Sequence, residues 1–232
     1  MPMQLIIRFA KKENLRYISH LDVLRTMQRA LRRAEIPTVF SRGFNPHAVI
    51  SFAVASPVGM GSIAEYAQIG VERVSEDAEF RLAAVMPVGI EVIRCIHVND
   101  DFPQLMSIVC ASEYSAQFPN LVTDLGAKVA DFLHKDECFV LKRSKSGERM
   151  VDIKPMVRQI FSADVSDEMR FQLDCGSAGN LNAELFVKTL IGEQQSSVKI
   201  DRTELFVKKK NNDVLLPFEF AKEFEVYLEH SK

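Results

Sequence analysis

The chain lacks the features that mark several large classes of protein. No apolar run approaches the roughly 18 residues of a membrane-spanning helix. The apolar run that precedes Lys11 is only as long as a strand, which is too short for the core of a signal peptide. Tryptophan is absent, but 16 phenylalanines supply bulky apolar volume. We therefore expect a cytoplasmic protein that does not engage a membrane.

Motifs for metal clusters and for nucleotide phosphates are also missing. The chain has four cysteines, Cys95, Cys110, Cys138 and Cys175. No two of them have the spacing of about two to four residues that zinc and iron–sulfur sites use. The glycine-bearing residues 57–62 match neither a Walker A loop nor a dinucleotide fingerprint. We expect reduced, buried thiols and no cofactor.

Charge is balanced over the whole chain but not along it. The 29 basic and 31 acidic residues argue against a general polyanion binder. Residues 1–50 contain nine arginines and lysines but only three acidic residues, which gives this part a net charge of +6. An anionic partner at the N-terminal end explains the asymmetry, and a solvated basic face without a partner is the alternative.

Residues 20–34 are predicted to form a helix with two different faces. Ser19 and Asp22 fit a capping pattern at its start, and Pro37 prevents its continuation. At about 100° per residue, one arc is apolar and holds Leu24, Met27, Ala30, Leu31 and Ala34. The opposite arc holds four cations, which we call the arginine stripe: Arg25, Arg29, Arg32 and Arg33. Guanidinium groups suit phosphates or carboxylates because they offer fixed pairs of donors.

The second candidate is the segment of residues 41–47, which we call the 41–47 loop. Its Gly43, Asn45 and Pro46 are typical of turns. Arg42, Phe44 and Asn45 of this loop join the four arginines of the stripe as candidate anion-binding and RNA-binding residues. Phe44 either stacks on a base or a cofactor ring or fills the local core, and we favour the core.

Two histidines lie near these elements. His47 is a candidate general base, metal ligand or hydrogen-bonding anchor. His20 falls in the first helical turn, which disfavours an imidazolium, so a neutral ring bonded to a carbonyl is its structural alternative. Together they form a candidate acid–base pair. With Asp22 and Glu65 they are also weak candidates for metal ligands, but the spacing gives no support and no metal site is predicted.

The order of predicted elements indicates an α+β protein. In the first half, strands are expected at residues 3–9, 38–40 with 48–55, 65–71 and 90–98, and helices at 20–34 and 76–86. This βαββαβ order is that of a ferredoxin-like domain. The second half repeats it less clearly, with strands at 108–118, 169–175 and 197–207, a hairpin at 138–152, and helices at 121–134, 155–160, 183–191 and from Pro217. We predict tandem ferredoxin-like domains at residues 1–100 and 104–232.

Several of these motifs together resemble the bacterial radical-SAM-linked protein family. The similar segments are residues 18–22 (Ile-Ser-His-Leu-Asp), 29–34, 41–47 and Glu65-Tyr66, and the likeness extends through 152–155 and Arg202-Thr203. A departure lies at 180–184, where only Glu184 matches the helix start usual in the family. The family is a domain of unassigned function, encoded beside or fused to radical S-adenosylmethionine (SAM) proteins.

The resemblance implies a radical SAM protein as partner more than it implies an activity. The chain lacks the Cys-x3-Cys-x2-Cys cluster ligands of such enzymes. Genes near family members often encode ribonucleases and ribosomal proteins, which suggests RNA. We expect a non-catalytic accessory module that binds RNA or a partner through the arginine stripe and the 41–47 loop. The alternatives are an RNA-processing or RNA-modifying enzyme that uses His20 and His47, and a pure protein-interaction scaffold.

Overall fold

A computed structural model gives the fold and describes residues 3–118, 124–144, 147–162, 168–177, 179–192, 198–210 and 213–225. Over these residues the protein is a mixed α/β structure with a mostly antiparallel sheet and few helices. The described strands are β1 (Met3–Lys11), β2 (Ile50–Phe52), β3 (Gly61–Val71), β4 (Ile90–Asn99), β5 (Val109–Gln117), β6 (Phe139–Ser144), β7 (Gly147–Asp152), β8 (Val157–Ser162), β9 (Glu168–Asp174), β10 (Lys199–Lys208) and β11 (Val214–Leu215). The described α-helices are α1 (His20–Arg33), α2 (Ala78–Val85), α3 (Leu105–Ile108), α4 (Leu125–His134), α5 (Ala183–Ile191) and α6 (Pro217–Ala221).

The chain divides into two compact units. One consists of Met1–Val109 with Glu204–Lys232, and the other of Cys110–Thr203. The predicted domains, residues 1–100 and 104–232, place the C-terminal residues with the second half instead. Compactness does not test whether either part folds independently, so the domain boundaries stay a prediction.

Strand β1 is the centre of the first unit. It pairs antiparallel with β3 along one edge and with β4 along the other, and β2 pairs antiparallel with β3. Leu5, Ile7 and Phe9 are fully buried in the core that α1 and α2 also enter, and Ile6 is buried on the opposite face. A continuous apolar run is typical of a strand that is covered on both faces.

Helix α1 covers one face of this sheet, as its sequence predicts. The Ser19 hydroxyl oxygen accepts a hydrogen bond from the backbone N–H of Asp22 at 3.2 Å, which caps the helix start. The buried face consists of Val23, Met27, Ala30 and Leu31. Leu24, which was expected in this face, is only half-buried. The predicted helix over residues 20–34 is confirmed.

Residues after β4 and the C-terminal segment cover the other face. The side-chain carbonyl of Gln68 accepts from Leu105 N–H at 2.8 Å, so the chain after β4 is tied to β3. Phe102 contacts Phe220 and Phe224, with ring centroids 5.7 Å and 5.4 Å apart. These contacts bring α6 and the residues after it into the first unit. The sheet around β1 is therefore covered on both faces.

An aromatic and ionic network lies on this second face. The Tyr66 hydroxyl donates to Glu204 at 2.9 Å, and Arg8 pairs with Glu204 at the same distance. The Tyr66 ring also packs 5.6 Å from that of Phe218, centroid to centroid. Burial, together with the Glu204 carboxylate, raises the pKa of Tyr66 far above its ordinary value. The phenol therefore stays protonated and keeps its role as a donor.

The second unit is built on β5, β8 and β9. Strand β9 pairs antiparallel with both β5 and β8. Its core is aromatic, because Phe171 stacks on Tyr114 at 5.6 Å and touches Phe186 at 4.9 Å between centroids. Strands β6 and β7 form a separate two-stranded hairpin. Asp152 closes the base of this hairpin by accepting from the backbone N–H of Cys138 at 2.8 Å.

Some predicted elements are wrong or shorter than expected. Residues 155–160 were predicted as a helix, but a single 3-10 turn at Lys154–Met156 leads into β8, because pairing with β9 overrides the local pattern. Residues 38–40 and 48–55 were predicted as strands, but they form only isolated β-bridges and the short strand β2. Of the predicted helix at 121–134, the structure contains α4, and residues 119–123 lie outside the described chain.

None of the four cysteines, all of which lie in the described part of the chain, forms a disulfide bond. Cys175 is buried, as predicted for all four. The other three are only partly buried. Burial, with a smaller contribution from Glu79, raises the pKa of the Cys95 thiol to about 12. A thiol in this state is a poor nucleophile at neutral pH. None of the described helices is long and apolar enough to cross a bilayer.

The end of α1 imposes left-handed backbone geometry on a glutamate. Ile36 N–H donates to Leu31 O at 3.0 Å and Glu35 N–H donates to Arg32 O at 3.1 Å, which together form a Schellman motif. Glu35 occupies the residue position after the cap with φ +51. Glycine is the usual residue there, because a Cβ in this conformation costs about 1 kcal/mol.

Glu35→Gly should therefore stabilise the protein by about 0.5–1 kcal/mol, since the added freedom of the unfolded glycine offsets part of the relieved strain. Urea denaturation followed by circular dichroism measures the change. Glu35→Ala is the matched control, because it removes the carboxylate and keeps the Cβ. Equal stability of the two variants would show that backbone strain at this position is not the cause.

His97 on β4 gives a pH dependence with a definite sign. Its Nε2 accepts from Ser75 N–H at 3.3 Å, so this nitrogen is unprotonated in the fold. Burial lowers the pKa of His97 below its ordinary value of 6.5. At pH values between the lowered pKa and 6.5, the unfolded chain binds more protons than the folded chain does. The free energy of unfolding therefore decreases as the pH falls through this window.

His97→Gln should reduce this loss of stability between about pH 7 and about pH 5, because the amide oxygen still accepts from Ser75 and does not titrate. Urea denaturation at a series of pH values measures the slope. His134→Gln, at an exposed position on α4, is the control and should leave the slope unchanged. An identical slope for wild type and His97→Gln would contradict the assignment.

Candidate anion and nucleotide site

The first turn of α1 is explained by folding. The Ser19 hydroxyl donates to Asp22 Oδ2 at 2.7 Å in addition to capping the backbone. This hydrogen bond, assisted by Arg25, lowers the pKa of Asp22. Arg25 contacts the other carboxylate oxygen at 3.2 Å. Asp22 is therefore a capping residue with its charge already paired.

His20 is half-buried and packs against the core of the first unit. Its ring meets Phe52 edge-on, with centroids 4.9 Å apart and an angle of 72° between the planes. Phe52 in turn contacts Phe9 of β1 at 6.2 Å. This position fits a packing role for the imidazole.

The arginine stripe faces solvent, as the helical arc predicts. All four side chains are exposed. Two of them have partners, since Arg25 pairs with Asp22 and Arg33 donates to Val85 O at 2.7 Å. Arg29 and Arg32 have no hydrogen-bond or ion-pair partner among the residues that the structure describes. Their full charge is available on the outer face of α1.

The 41–47 loop projects from the first unit. It is closed at its base, where Ser41 N–H donates to His47 O at 2.8 Å and His47 N–H donates to Ser41 Oγ at 3.1 Å. Gly43 has φ +133, and nothing lies within 4 Å of the position that a Cβ would take. The glycine is thus required by backbone conformation rather than by close packing.

Phe44 at the tip of this loop is fully exposed, with a relative accessibility of 112%. The prediction that it fills the local core is wrong. The Ser41–His47 bonds close the loop at its base, and residues 42–46 between them are all exposed. Neighbouring Arg42 and Asn45 are exposed as well.

His47 is anchored through one ring nitrogen. Its Nδ1 lies 3.0 Å from Ser41 Oγ and 3.3 Å from the backbone oxygen of Asn45. A carbonyl oxygen can only accept, so this contact favours the tautomer with a proton on Nδ1. The Nε2 atom is then left as an acceptor.

A cavity of about 450 Å³ lies between the end of α1 and the loop. It is lined by Gln28, Arg32 and Glu35, by residues 36–38, and by Phe40, Pro46, His47 and Ala48. Of the predicted site residues, it brings together Arg32 and His47. The volume is in the range typical of small-ligand sites, and the walls combine apolar surface with a few polar groups.

The two histidines do not share this cavity. His47 lines it, whereas His20 packs on Phe52 in the first turn of α1. Arg32, which also lines the cavity, is twelve residues further along the helix, or about 18 Å along its axis. The geometry therefore gives the acid–base alternative no support, and it stays a prediction.

The weak metal candidates are similarly dispersed. Glu65 is buried on β3 opposite Phe9, away from the exposed 41–47 loop. Among the described residues there is no group of three or more histidine, cysteine, aspartate or glutamate side chains that could hold a metal ion. His20, Asp22, His47 and Glu65 thus do not form such a cluster.

Sequence reasoning missed the groups that complete the cavity. Gln28 and Arg32 are four residues apart on α1, so their shared side of the helix was visible in the sequence, whereas Glu35 lies beyond the helix end. Phe40 was assigned to a strand and is instead half-exposed on the cavity wall. The left-handed conformation of Glu35 had no signal in the sequence, because glycine is the residue that normally marks such a position.

Comparison with known proteins identifies a family but no activity. No curated protein matches the chain with significant similarity. A family model, DUF2344, described as an uncharacterized protein conserved in bacteria, matches residues 4–183. The matched region includes α1, the 41–47 loop and the cavity, and it covers well over half of the sequence. The chain therefore belongs to the DUF2344 family of proteins conserved in bacteria.

Proposed function

We propose that the protein is a non-catalytic accessory module that binds RNA phosphates through the arginine stripe and the 41–47 loop. The observation that carries the proposal is the exposure of Arg29, Arg32 and Arg42, which have no hydrogen-bond or ion-pair partner within the described part of the chain. A helix that is merely solvated usually mixes acidic residues with its cations. Here Asp22 is tied to Ser19 and Arg25.

The exposed aromatic residue in the loop supports the same ligand. Proteins that bind single-stranded nucleic acids combine cations along the backbone with aromatic rings on which bases stack. Phe44 lies fully exposed beside Arg42, on a loop held open by hydrogen bonds at its base. This pairing of ring and guanidinium fits stacking on a base with contact to the adjoining phosphate.

The distribution of charge favours one binding face. Residues 1–50 carry a net charge of +6 in a chain whose overall charge is −2. Because Arg8 and Lys12 pair with Glu204 and Glu91, the exposed part of this charge comes chiefly from the arginine stripe and Arg42. A localised positive field steers a polyanion to this face and leaves the remainder of the surface unattractive to it. The proposal therefore predicts binding that depends strongly on salt.

A radical SAM protein is the proposed protein partner. Support for this partner comes from the resemblance of the segments at residues 18–22, 29–34 and 41–47 to radical-SAM-linked proteins. An accessory module with an RNA-binding face would deliver RNA to such a partner. We place this role in the bacterial cytoplasm.

For the fold, we propose two ferredoxin-like domains in tandem. The strand order β4-β1-β3, with β2 beside β3, supports the first, because this antiparallel arrangement belongs to the split βαβ fold. The order β10-β5-β9-β8 supports a second copy, with the β6–β7 hairpin as an insertion. Both copies place their helices between strands that are not neighbours in the sheet.

The double variant Arg29→Glu/Arg42→Glu should weaken binding of a single-stranded RNA by at least about tenfold at low salt, because two phosphate contacts are lost and replaced by repulsion. Fluorescence anisotropy with a labelled RNA of mixed sequence measures this. The matched control is Arg94→Glu/Lys128→Glu, at exposed positions outside the stripe, which should have little effect. Equal losses in both double variants, or no RNA binding by wild type, would refute the proposed function.

A radical SAM protein should co-purify with the tagged full chain from its native cell, and treatment with ribonuclease should leave its recovery unchanged. Mass spectrometry of the eluate, with and without ribonuclease, measures this. The Arg29→Glu/Arg42→Glu variant serves as a second test and should retain the partner while losing RNA. Absence of any radical SAM protein, or its loss with the RNA, would contradict a direct partnership.

A further inference from the structure

The cavity at the end of α1 has a chemical character that the arginine stripe alone does not explain. It is lined by a guanidinium from Arg32 and a carboxylate from Glu35, with Gln28 and Thr38 as further polar groups. Phe40, half-exposed, gives one wall an aromatic ring. The volume of about 450 Å³ suits a ligand of the size of one nucleotide rather than a stretch of polymer.

The cation and the anion in this cavity are both available to a ligand. Arg32 and Glu35 are not within ion-pair distance of each other, and Arg32 has no described partner. Glu35 makes a long contact of 3.8 Å with Arg81 and its side chain is 88% exposed. A contact of this kind contributes little and is easily exchanged.

A small anion and a small cation are both poor ligands for such a pair. Glu35 repels a free phosphate, and Arg32 repels a metal ion or an amine. The pair instead suits a neutral planar ligand with donors on one edge and acceptors on another. Nucleobases have this property, and an aromatic wall such as Phe40 adds stacking.

Guanine matches the pair best among the four bases of RNA. Its N7 and O6 accept together from an arginine fork, which is the commonest specific contact of arginine with a base. Its N1–H and exocyclic amino group offer two adjacent donors, which a carboxylate can accept at the same time. Adenine and cytosine present a ring-nitrogen lone pair beside their amino group, and uracil presents one donor between two carbonyls, so each places an acceptor against Glu35.

The backbone fixes the position of the Glu35 Cα atom at the edge of the cavity. Glu35 occupies the left-handed position of the Schellman motif, with φ +51, and its N–H is bonded to Arg32 O. The Cα atoms of Glu35 and Arg32 are therefore held in a constant relation at the helix end. A non-glycine residue at a strained position, next to a cavity, is a pattern that accompanies functional sites.

From these observations we propose that the cavity binds one unstacked guanine base, read by Glu35 and Arg32 and stacked on Phe40. The inference rests on the proposed RNA-binding function and adds a base-specific contact to it. Arg29 and Arg42, which have no partner among the described residues, then hold the neighbouring phosphates, so the protein prefers single-stranded RNA that contains guanine.

Titration of the isotopically labelled full chain with guanosine 5′-monophosphate, followed by NMR, tests the site. Amide signals of residues 35–48 should shift, and the dissociation constant should be at least about tenfold lower than those for the adenosine, cytidine and uridine monophosphates. Glu35→Gln should reduce the affinity for the guanosine nucleotide about tenfold and abolish the preference. The control Glu76→Gln removes the same charge at an exposed position outside the cavity and should change neither.

Phe40→Leu is a second variant, which keeps apolar volume and removes the ring. It should weaken all four nucleotides by a similar factor, because stacking is tolerant of base identity. Equal affinities of wild type for the four nucleotides, or shifts confined to residues outside 28–48, would overturn the guanine site.

The source of the base is decided by a parallel titration with single-stranded RNA that has one guanine or none. Tighter binding of the guanine-containing RNA, lost in Glu35→Gln, supports readout within a strand. Selective binding of the mononucleotide without any RNA binding supports the guanine site with a free nucleotide as its ligand, and overturns the proposed function. RNA binding that ignores guanine leaves the proposed function intact and overturns this inference.

Discussion

The fold of the first unit depends on the double pairing of β1. With β3 on one edge and β4 on the other, this strand has no free edge and exposes neither face, so Leu5, Ile6 and Ile7 are all fully buried. Such a strand is stable only if both faces of its sheet are covered. Helices α1 and α2 cover one face, while the aromatic residues Phe102 and Phe220 belong to the cover of the other. The arginine stripe is exposed as a consequence, because the apolar arc of α1 is committed to β1 and β3.

The way in which α1 ends determines the candidate site. The bond from Ile36 to Leu31 turns the chain sharply at Glu35 and directs residues 37–40 to the edge of β3, where Thr38 bridges to Val71. The return through Ala48 leaves the 41–47 loop projecting and a cavity beneath the helix end. Exposed arginines, an exposed aromatic ring and a cavity with both a donor and an acceptor thus belong to one helix end and the loop that follows it. This proximity is the basis of our proposal that the protein binds single-stranded RNA.

Prediction from the sequence was most successful where the governing interactions are local. The cap of Ser19 on Asp22 and the two arcs of α1 depend on residues within a few positions of each other, and both are confirmed. Residues 155–160 show the opposite case, because they form β8 only through their partner β9. For Phe44 the sequence allowed both stacking on a base and filling the core, and we favoured the core. The ring is exposed, because burial depends on whether the fold places a gap opposite the side chain. Histidines 20 and 47 looked like a pair in the sequence, but each is held by different neighbours, Phe52 for one and Ser41 for the other.

The sequence by itself determined the helix with its capped start, its arginine stripe and the turn at Gly43, since these follow from side-chain periodicity and backbone preference. It also placed the basic charge in the first 50 residues. Only the tertiary structure decided that Gln28, Arg32, Glu35, Phe40 and His47 line one cavity. Those residues come from a helix end and from a loop that are brought together by strand pairing. Contacts between distant segments depend on such pairing, and the periodicity of a single segment carries no information about it.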